Sequence, residues 1–274
     1  MEAETIVQGS EASREVDERD ETTERGTIVL VTRNNLHLTK LAVKSALAQD
    51  MECDVWVVDN ASSDGTRHWL NAKHGIWHTS FMDQQSLAYC WNHALINVFR
   101  PRALGRGHAL VCNNDIELRP DAYRLLLAHG GPFVTCVSVG SRDQVNYPSP
   151  PTGEQPHPDM SCFLIRKEVV DTVGYFDEEY YPAYSEDLDM HVRMHRAGIR
   201  AVSIDLPVYH ERSSTLKSAS ESEKIQIERG AERGRDRFKQ KWGCRPMTPE
   251  YDALFDPREF GRYSGATSAR TSGR

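Results

Sequence analysis

No apolar run in this 274-residue chain approaches the ~20 residues that a membrane-spanning helix needs. The longest, Ala109-Leu110-Val111-Cys112 and Trp56-Val57-Val58, are only strand-length. The N-terminus is acidic and has no apolar stretch behind a basic start, so it does not read as a secretory signal. An integral membrane protein is therefore excluded on this reading and secretion is disfavoured. CxxC pairs are also missing. The six cysteines (Cys53, Cys90, Cys112, Cys136, Cys162 and Cys244) lie far apart, which argues for buried reduced thiols rather than a disulfide framework or a structural zinc site. The expected location is cytoplasmic, with peripheral attachment at the inner membrane face as the alternative. No internal repeat is visible.

Charge is unevenly spread. The chain carries −7 overall; residues 1–25 contribute −6, and residues 224–274, with twelve Lys/Arg against seven acids, contribute +5. The first segment has almost no apolar periodicity and reads as a disordered acidic leader. The last is expected to be a solvated basic stretch, with a phosphate-bearing acceptor or an acidic membrane surface as the functional alternative. The sequence thus divides into a leader (1–25), one domain (26–243) and a partly disordered basic extension (244–274).

Within the domain, Thr27-Ile28-Val29-Leu30-Val31 is a β-branched run bounded by polar residues, as expected of a buried parallel strand. The spacing predicts a helix over 36–49, then a strand at Asp54-Val55-Trp56-Val57-Val58. That strand stops at Asp59-Asn60-Ala61-Ser62-Ser63-Asp64-Gly65-Thr66, which is dense in turn and cap formers. Helices follow around Trp69-Leu70, over 86–99 and over 120–129, with a strand at 108–112. Gln144 to Pro158 is proline-rich and reads as an irregular loop of the kind that often serves as a lid. A strand at 162–165, helices over 167–173 and 188–197, and a strand at 201–204 complete the pattern. Alternating strands and helices define an α/β protein with a mostly parallel central sheet and helices on both faces. Ligands of such sheets sit at the carboxyl ends of the strands.

Three acidic clusters fall at strand or loop ends: Asp59 with Asp64, Asp115, and Glu186-Asp187 with Asp189. Carboxylates converging on one sheet edge suit a nucleoside diphosphate held by a divalent metal. The segments around them resemble the family 2 glycosyltransferases, inverting enzymes of the GT-A fold. The resemblance rests on Val31-Thr32-Arg33-Asn34-Asn35, on Val57-Val58-Asp59-Asn60-Ala61-Ser62-Ser63-Asp64-Gly65-Thr66, and on Val111-Cys112-Asn113-Asn114-Asp115. It continues through Phe163 to Lys167, Val173 to Glu178, Tyr184-Ser185-Glu186-Asp187-Leu188-Asp189 with Arg193, and Lys241-Trp242-Gly243. It spans roughly Thr27 to Gly243 and implies a Rossmann-like nucleotide-binding half joined to an acceptor-binding half.

The roles that the resemblance implies are these. Thr32, Asn34, Asp59, Asp64, Asn92, Asn113 and Asn114 line the nucleotide-sugar pocket, with Asp59 accepting the N3–H of uracil or thymine. Asp115 and His210 hold Mn²⁺ or Mg²⁺. Asp187 is the general base that an inverting transfer requires on the acceptor side, with Tyr184 and Glu186 beside it. Asp189 pairs with Arg193, four residues on. Arg212 and Ser213 touch the diphosphate. Two departures stand out: Asn113 is neutral where stricter relatives have Asp, and Ser86-Leu87-Ala88-Tyr89 replaces a Gly-Phe-Ala segment. The expected partners are a UDP- or dTDP-sugar and a glycan or lipid-linked acceptor, and nucleic acid is disfavoured. Glycosylation of a hydroxymethylated DNA base, an inactive nucleotide-sugar-binding module and a sugar nucleotidyltransferase are the rivals. The last lacks support because 31–37 contains no glycine.

Overall fold

A computed structural model describes residues 25–101, 103–146, 158–211 and 221–255. Most of the acidic leader, most of the proline-rich loop, Arg212, Ser213 and residues 256–274 lie outside the described residues. The strands are β1 (Gly26–Thr32), β2 (Cys53–Asp59), β3 (Trp77–Ser80), β4 (His108–Asn113), β5 (Ile116–Glu117), β6 (Phe133–Val139), β7 (Cys162–Arg166) and β8 (Ala201–His210). The helices are α1 (Leu36–Leu47), α2 (Thr66–Ala72), α3 (Leu87–Phe99), α4 (Ala122–Ala128), α5 (Lys167–Val173), α6 (Glu186–Arg196), α7 (Glu221–Trp242) and α8 (Pro249–Asp252).

All eight strands form one sheet in the order β3-β2-β1-β4-β7-β6-β8-β5. Strands β3, β2, β1 and β4 run parallel, β7 is antiparallel to both β4 and β6, and β8 is parallel to β6. The apolar runs of β1 and β4 are continuous because both faces are covered. Ile28, Leu30, Leu110 and Cys112 face a core shared with α1, α2 and α4, while Val29, Val31, Ala109 and Val111 face one shared with α3, α5 and α6. All six cysteines are free thiols.

Several elements exceed the sequence expectation. β3, β5 and β6 were not anticipated, β8 runs six residues past 204, and α7 is a single 22-residue helix. The boundary placed at Gly243 is not an end of packing. Cys244, Tyr251 and Leu254 are buried with Tyr180, Val192, Phe238 and Trp242 in a third core.

α7 approaches the chain ahead of α6 through two glycines one turn apart. A methyl group at Gly230 would collide with the Pro182 ring, and one at Gly234 with the Tyr184 carbonyl oxygen. Gly234→Ala gains ~1 kcal/mol in helix propensity, yet the collision with backbone is expected to reverse this to a net loss of about 1–3 kcal/mol. Urea denaturation measures it; a raised midpoint would show that α7 does not press on this segment.

Candidate active site

The strand order reverses at β1, which has β2 on one side and β4 on the other, and such a reversal opens a crevice at the strand C-termini. A cleft of about 1340 Å³ lies there, bounded by the ends of β1, β2 and β4, by 158–161, by Tyr181–Leu188 and by one side of α7. Among the described residues six non-glycine residues have positive φ, and Asn34, Asn35, Tyr184, Ser185 and Met247 among them line this cleft. Left-handed conformations cost free energy outside glycine and asparagine and gather at functional loops.

The residues at the strand ends interlock. The Asn114 amide donates to Thr32 Oγ1 at 3.1 Å, Asn34 O at 3.2 Å and Thr39 Oγ1 at 3.1 Å, tying the end of β4 to the β1–α1 turn. Asn34 Oδ1 accepts the Ser63 N–H at 2.8 Å. Asp64 accepts from Leu36 N–H at 2.8 Å and from the Thr66 hydroxyl and N–H, so it caps the first turns of both α1 and α2. Partial burial pushes its pKa up, but these hydrogen bonds outweigh burial and hold it below the usual carboxylate range.

Thr32, Asn34, Asp64, Asn113, Asn114, Asp115, Tyr184, Glu186, Asp187 and His210 all line the cleft. Asp59 and Asn92 do not. Strand alternation turns Asp59 with Val57 toward α2, where it is fully buried. Its Oδ1 accepts Ser62 N–H at 3.0 Å and its Oδ2 lies 3.8 Å from Arg67 Nε. The neighbouring Asn60 lines the cleft instead, paired through its amide with the Gln85 backbone at 2.7 and 3.0 Å. Asn92 is buried and acts at a distance: its Nδ2 donates to Phe176 O and Glu178 Oε1, both at 2.8 Å, and its Oδ1 accepts Phe176 N–H. It thereby anchors the turn that leads into the tyrosines.

Asp115 and His210, ninety-five residues apart, meet because two-residue β5 pairs with the end of β8, setting Ile116 opposite His210. His210 Nε2 lies 3.3 Å from Asp115 Oδ1. One carboxylate oxygen and one imidazole nitrogen facing a cleft fit a divalent cation that takes its remaining ligands from substrate phosphates and water. Among the described residues there is no group of three or more His, Cys, Asp or Glu placed to hold a metal by themselves. Asp159, which also lines the cleft, was missed by the sequence reading because it follows the proline-rich loop directly. Burial raises its pKa, but the Ser138 and Ser161 hydroxyls, the Ser161 N–H and the charge of His210 more than offset this and hold it low.

At the α6 end of the cleft, Asp187 is the second residue of α6 and accepts Leu188 N–H at 2.8 Å. Asp189 is fully buried and pairs with Arg193 at 2.9 Å, as the four-residue spacing predicts, and also with Lys241 Nζ at 2.8 Å and Trp242 Nε1 at 2.9 Å. Glu186 is 3% exposed and its Oε2 has no hydrogen-bond partner. Burial first, then the adjacent Asp187 charge, pushes its pKa well above the carboxylate range.

No family model and no curated protein matches the chain. Solved structures do. The mannosyltransferase PcManGT from Pyrobaculum calidifontis, in complex with GDP-Man and Mn²⁺, is similar at a TM-score of 0.57 and 17% identity, covering 89% of this chain and 72% of that one. Residues 1–349 of S. aureus TarS give 0.53 and 16%, covering 85% and 78%. GalNAc-T7 with UDP, GalNAc and Mn²⁺ gives 0.63 and 11%, covering 86% of this chain and 50% of its own. The fold is thus the GT-A fold, a curled, mixed but mostly parallel sheet flanked by helices.

The raised Glu186 pKa has a signed consequence. As pH rises above the ordinary Glu value of about 4.3, the unfolded chain releases this proton before the folded one does, so stability falls until the folded pKa is passed. Glu186→Gln removes that loss. The variant is expected to gain on the wild type steadily from pH 4.5 upward in urea denaturation; a pH-independent difference would show that Glu186 is ionised in the fold.

Proposed function

We propose that the protein is a metal-dependent inverting glycosyltransferase that moves a sugar from a nucleoside-diphosphate sugar to an acceptor hydroxyl. The observation that carries this reading is the shared cleft. The Asp115–His210 pair stands at the strand ends and Asp187 at the start of α6, and both line one cavity in a GT-A fold.

On this reading the nucleoside occupies the crevice at the ends of β1 and β2, against Thr32, Asn34 and Asn60. Asp64 acts one step removed, by fixing the first turns of α1 and α2 around that crevice. Asp59 stabilises the turn beneath the pocket, so base contact falls to Asn60 and its surroundings unless the Ser62 turn opens. Asn113, at the end of β4, is placed for a ribose or sugar hydroxyl. Asp115 and His210 hold Mn²⁺ or Mg²⁺, which when bound stabilises negative charge on the leaving diphosphate. Asp187 takes the proton from the acceptor hydroxyl as its oxygen attacks the anomeric carbon on the face opposite the diphosphate. Burial raises the pKa of Glu186 beside it, which disfavours a second negative charge competing for that proton. Asp59, the residue that pointed to uracil or thymine, does not line the cleft, so the donor base is left to a nucleotide screen; the acceptor favoured is a glycan or lipid-linked saccharide. No helix among the described residues is long and apolar enough to cross a membrane.

Thermal-shift measurements with UDP, dTDP, GDP and CDP, each with and without Mn²⁺, test the donor site. A nucleotide at one hundred times its Kd adds about 2.7 kcal/mol, and for a domain of this size each kcal/mol raises Tm by about 2–4 °C. The expected result is a Mn²⁺-dependent rise with at least one of the four nucleotides that disappears in Asp115→Ala. No shift with any nucleotide would refute the transferase reading.

Asp187→Asn is expected to lower kcat by about 10²- to 10⁴-fold while leaving nucleoside diphosphate affinity unchanged. Retained turnover in that variant would assign the base elsewhere.

A further inference from the structure

Most basic side chains of α7 are consumed by ion pairs. Lys224 meets Glu221 at 2.6 Å, Arg235 meets Glu232 at 2.6 Å, Arg237 meets Asp177 at 2.9 Å, and Lys241 meets both Asp177 and Asp189. Arg229 and Arg233 are different. Both are exposed, both line the cleft, and neither has a hydrogen-bond or ion-pair partner among the described residues. Lys239 is also unpaired but does not line the cleft.

Four residues apart on a helix, the two guanidinium groups project from one face with a rise of about 6 Å between their backbones. Like charges at this spacing destabilise a helix by a few tenths of a kcal/mol. The other cations that line the cleft are Arg33, whose guanidinium donates to the Asn60 and Ala61 carbonyls at the strand ends, and Arg235, which is paired with Glu232; Asp64, Asp115, Asp159, Asp187 and Glu223 are acidic. On the α7 side, an anion entering the cleft therefore meets its unpaired cations along this strip. Guanidinium groups bind phosphate oxygens in paired, planar geometry.

The position of the strip assigns it to one end of the cleft. Arg229 and Arg233 each precede one of the glycines that seat α7 against Pro182 and Tyr184, the segment that runs directly into Asp187. They stand on the wall of the general base and not on the β5–β8 edge that carries Asp115 and His210. Tyr181 and Tyr184, 46% and 42% exposed, line the same cleft and offer aromatic faces beside the strip.

We propose that Arg229 and Arg233 form an acceptor subsite that binds the phosphate group of a phosphorylated saccharide, polyol or lipid carrier. The inference rests on the transferase reading and narrows its acceptor to phosphate-bearing molecules.

Isothermal titration at low and moderate salt tests it with glycerol, glycerol 3-phosphate, farnesyl phosphate and a 12-base-pair DNA duplex. The proteins are the wild type and the double variant Arg229→Gln/Arg233→Gln, and UDP–Mn²⁺ titration is run in parallel. Both positions are exposed, so the variant is expected to keep its Tm and its nucleotide affinity. Binding of a phosphate probe at least tenfold tighter than glycerol, and at least tenfold weaker in the variant, supports the subsite. Which of the two phosphates binds separates a polyol phosphate from a lipid carrier. Equal affinity in both proteins, or no preference over glycerol, overturns the proposal even where UDP binds. Tighter, Arg-dependent binding of the duplex also overturns it and transfers the strip to nucleic acid. Loss of all nucleotide binding in the wild type condemns the transferase reading instead.

Discussion

Asp189 is the constraint on which the α6–α7 side of the molecule depends. A carboxylate with no solvent exposure is tolerable only when its charge is met. Here Arg193 meets it from the same helix, and Lys241 and Trp242 meet it from α7. These contacts lock α6, which presents Glu186 and Asp187, against α7, which walls the cleft. Tyr180, buried in the same core, closes the set. Removing one partner of such a group typically costs about 3–5 kcal/mol. The α6–α7 angle, and with it the width of the cleft, is therefore held by electrostatics in a dry interior rather than by apolar packing alone.

The strand-end side of the cleft is held differently. Its residues are joined by hydrogen bonds among turns at the ends of parallel strands, with Asn114 and Asp64 each joining two or more elements. The cleft thus has a prearranged polar floor at one end and, at the other, a wall carrying two unneutralised cations. Between them stand Glu186, whose pKa burial raises, and Asp187, adjacent in sequence but less buried. Separating the protonation behaviour of neighbouring carboxylates is a common way to give one of them a distinct chemical task.

Legibility in the sequence followed the range of the interaction. β1, β4, α3 and α5 were readable because a buried strand or an amphipathic helix advertises itself in local apolar spacing. α7 was not, because its buried face has apolar side chains only in its last two turns, at Phe238 and Trp242, and relies before them on Gly230 and Gly234, where closeness achieved by missing side chains leaves no hydrophobic pattern. β5 is two residues long and exists only through its pairing with β8. Asp59 was placed in the pocket by motif resemblance, whereas side-chain alternation along β2 points it at Arg67 and leaves Asn60 to face the cleft. Asp159 stood outside every recognised motif and acquired meaning only from its neighbours in space.

By itself the sequence determined the class of fold, the order of its main elements and the identity of the carboxylates at the strand ends, since these follow from periodicity and from turn chemistry within a few residues. Only the tertiary structure decided which of those groups share a cavity. The meeting of Asp115 with His210, the exclusion of Asp59 and Asn92, the burial that raises the Glu186 pKa, and the exposure of Arg229 and Arg233 in the same cleft all depend on contacts between distant segments. Such contacts are set by packing and desolvation across the whole domain, and local sequence carries no direct record of either.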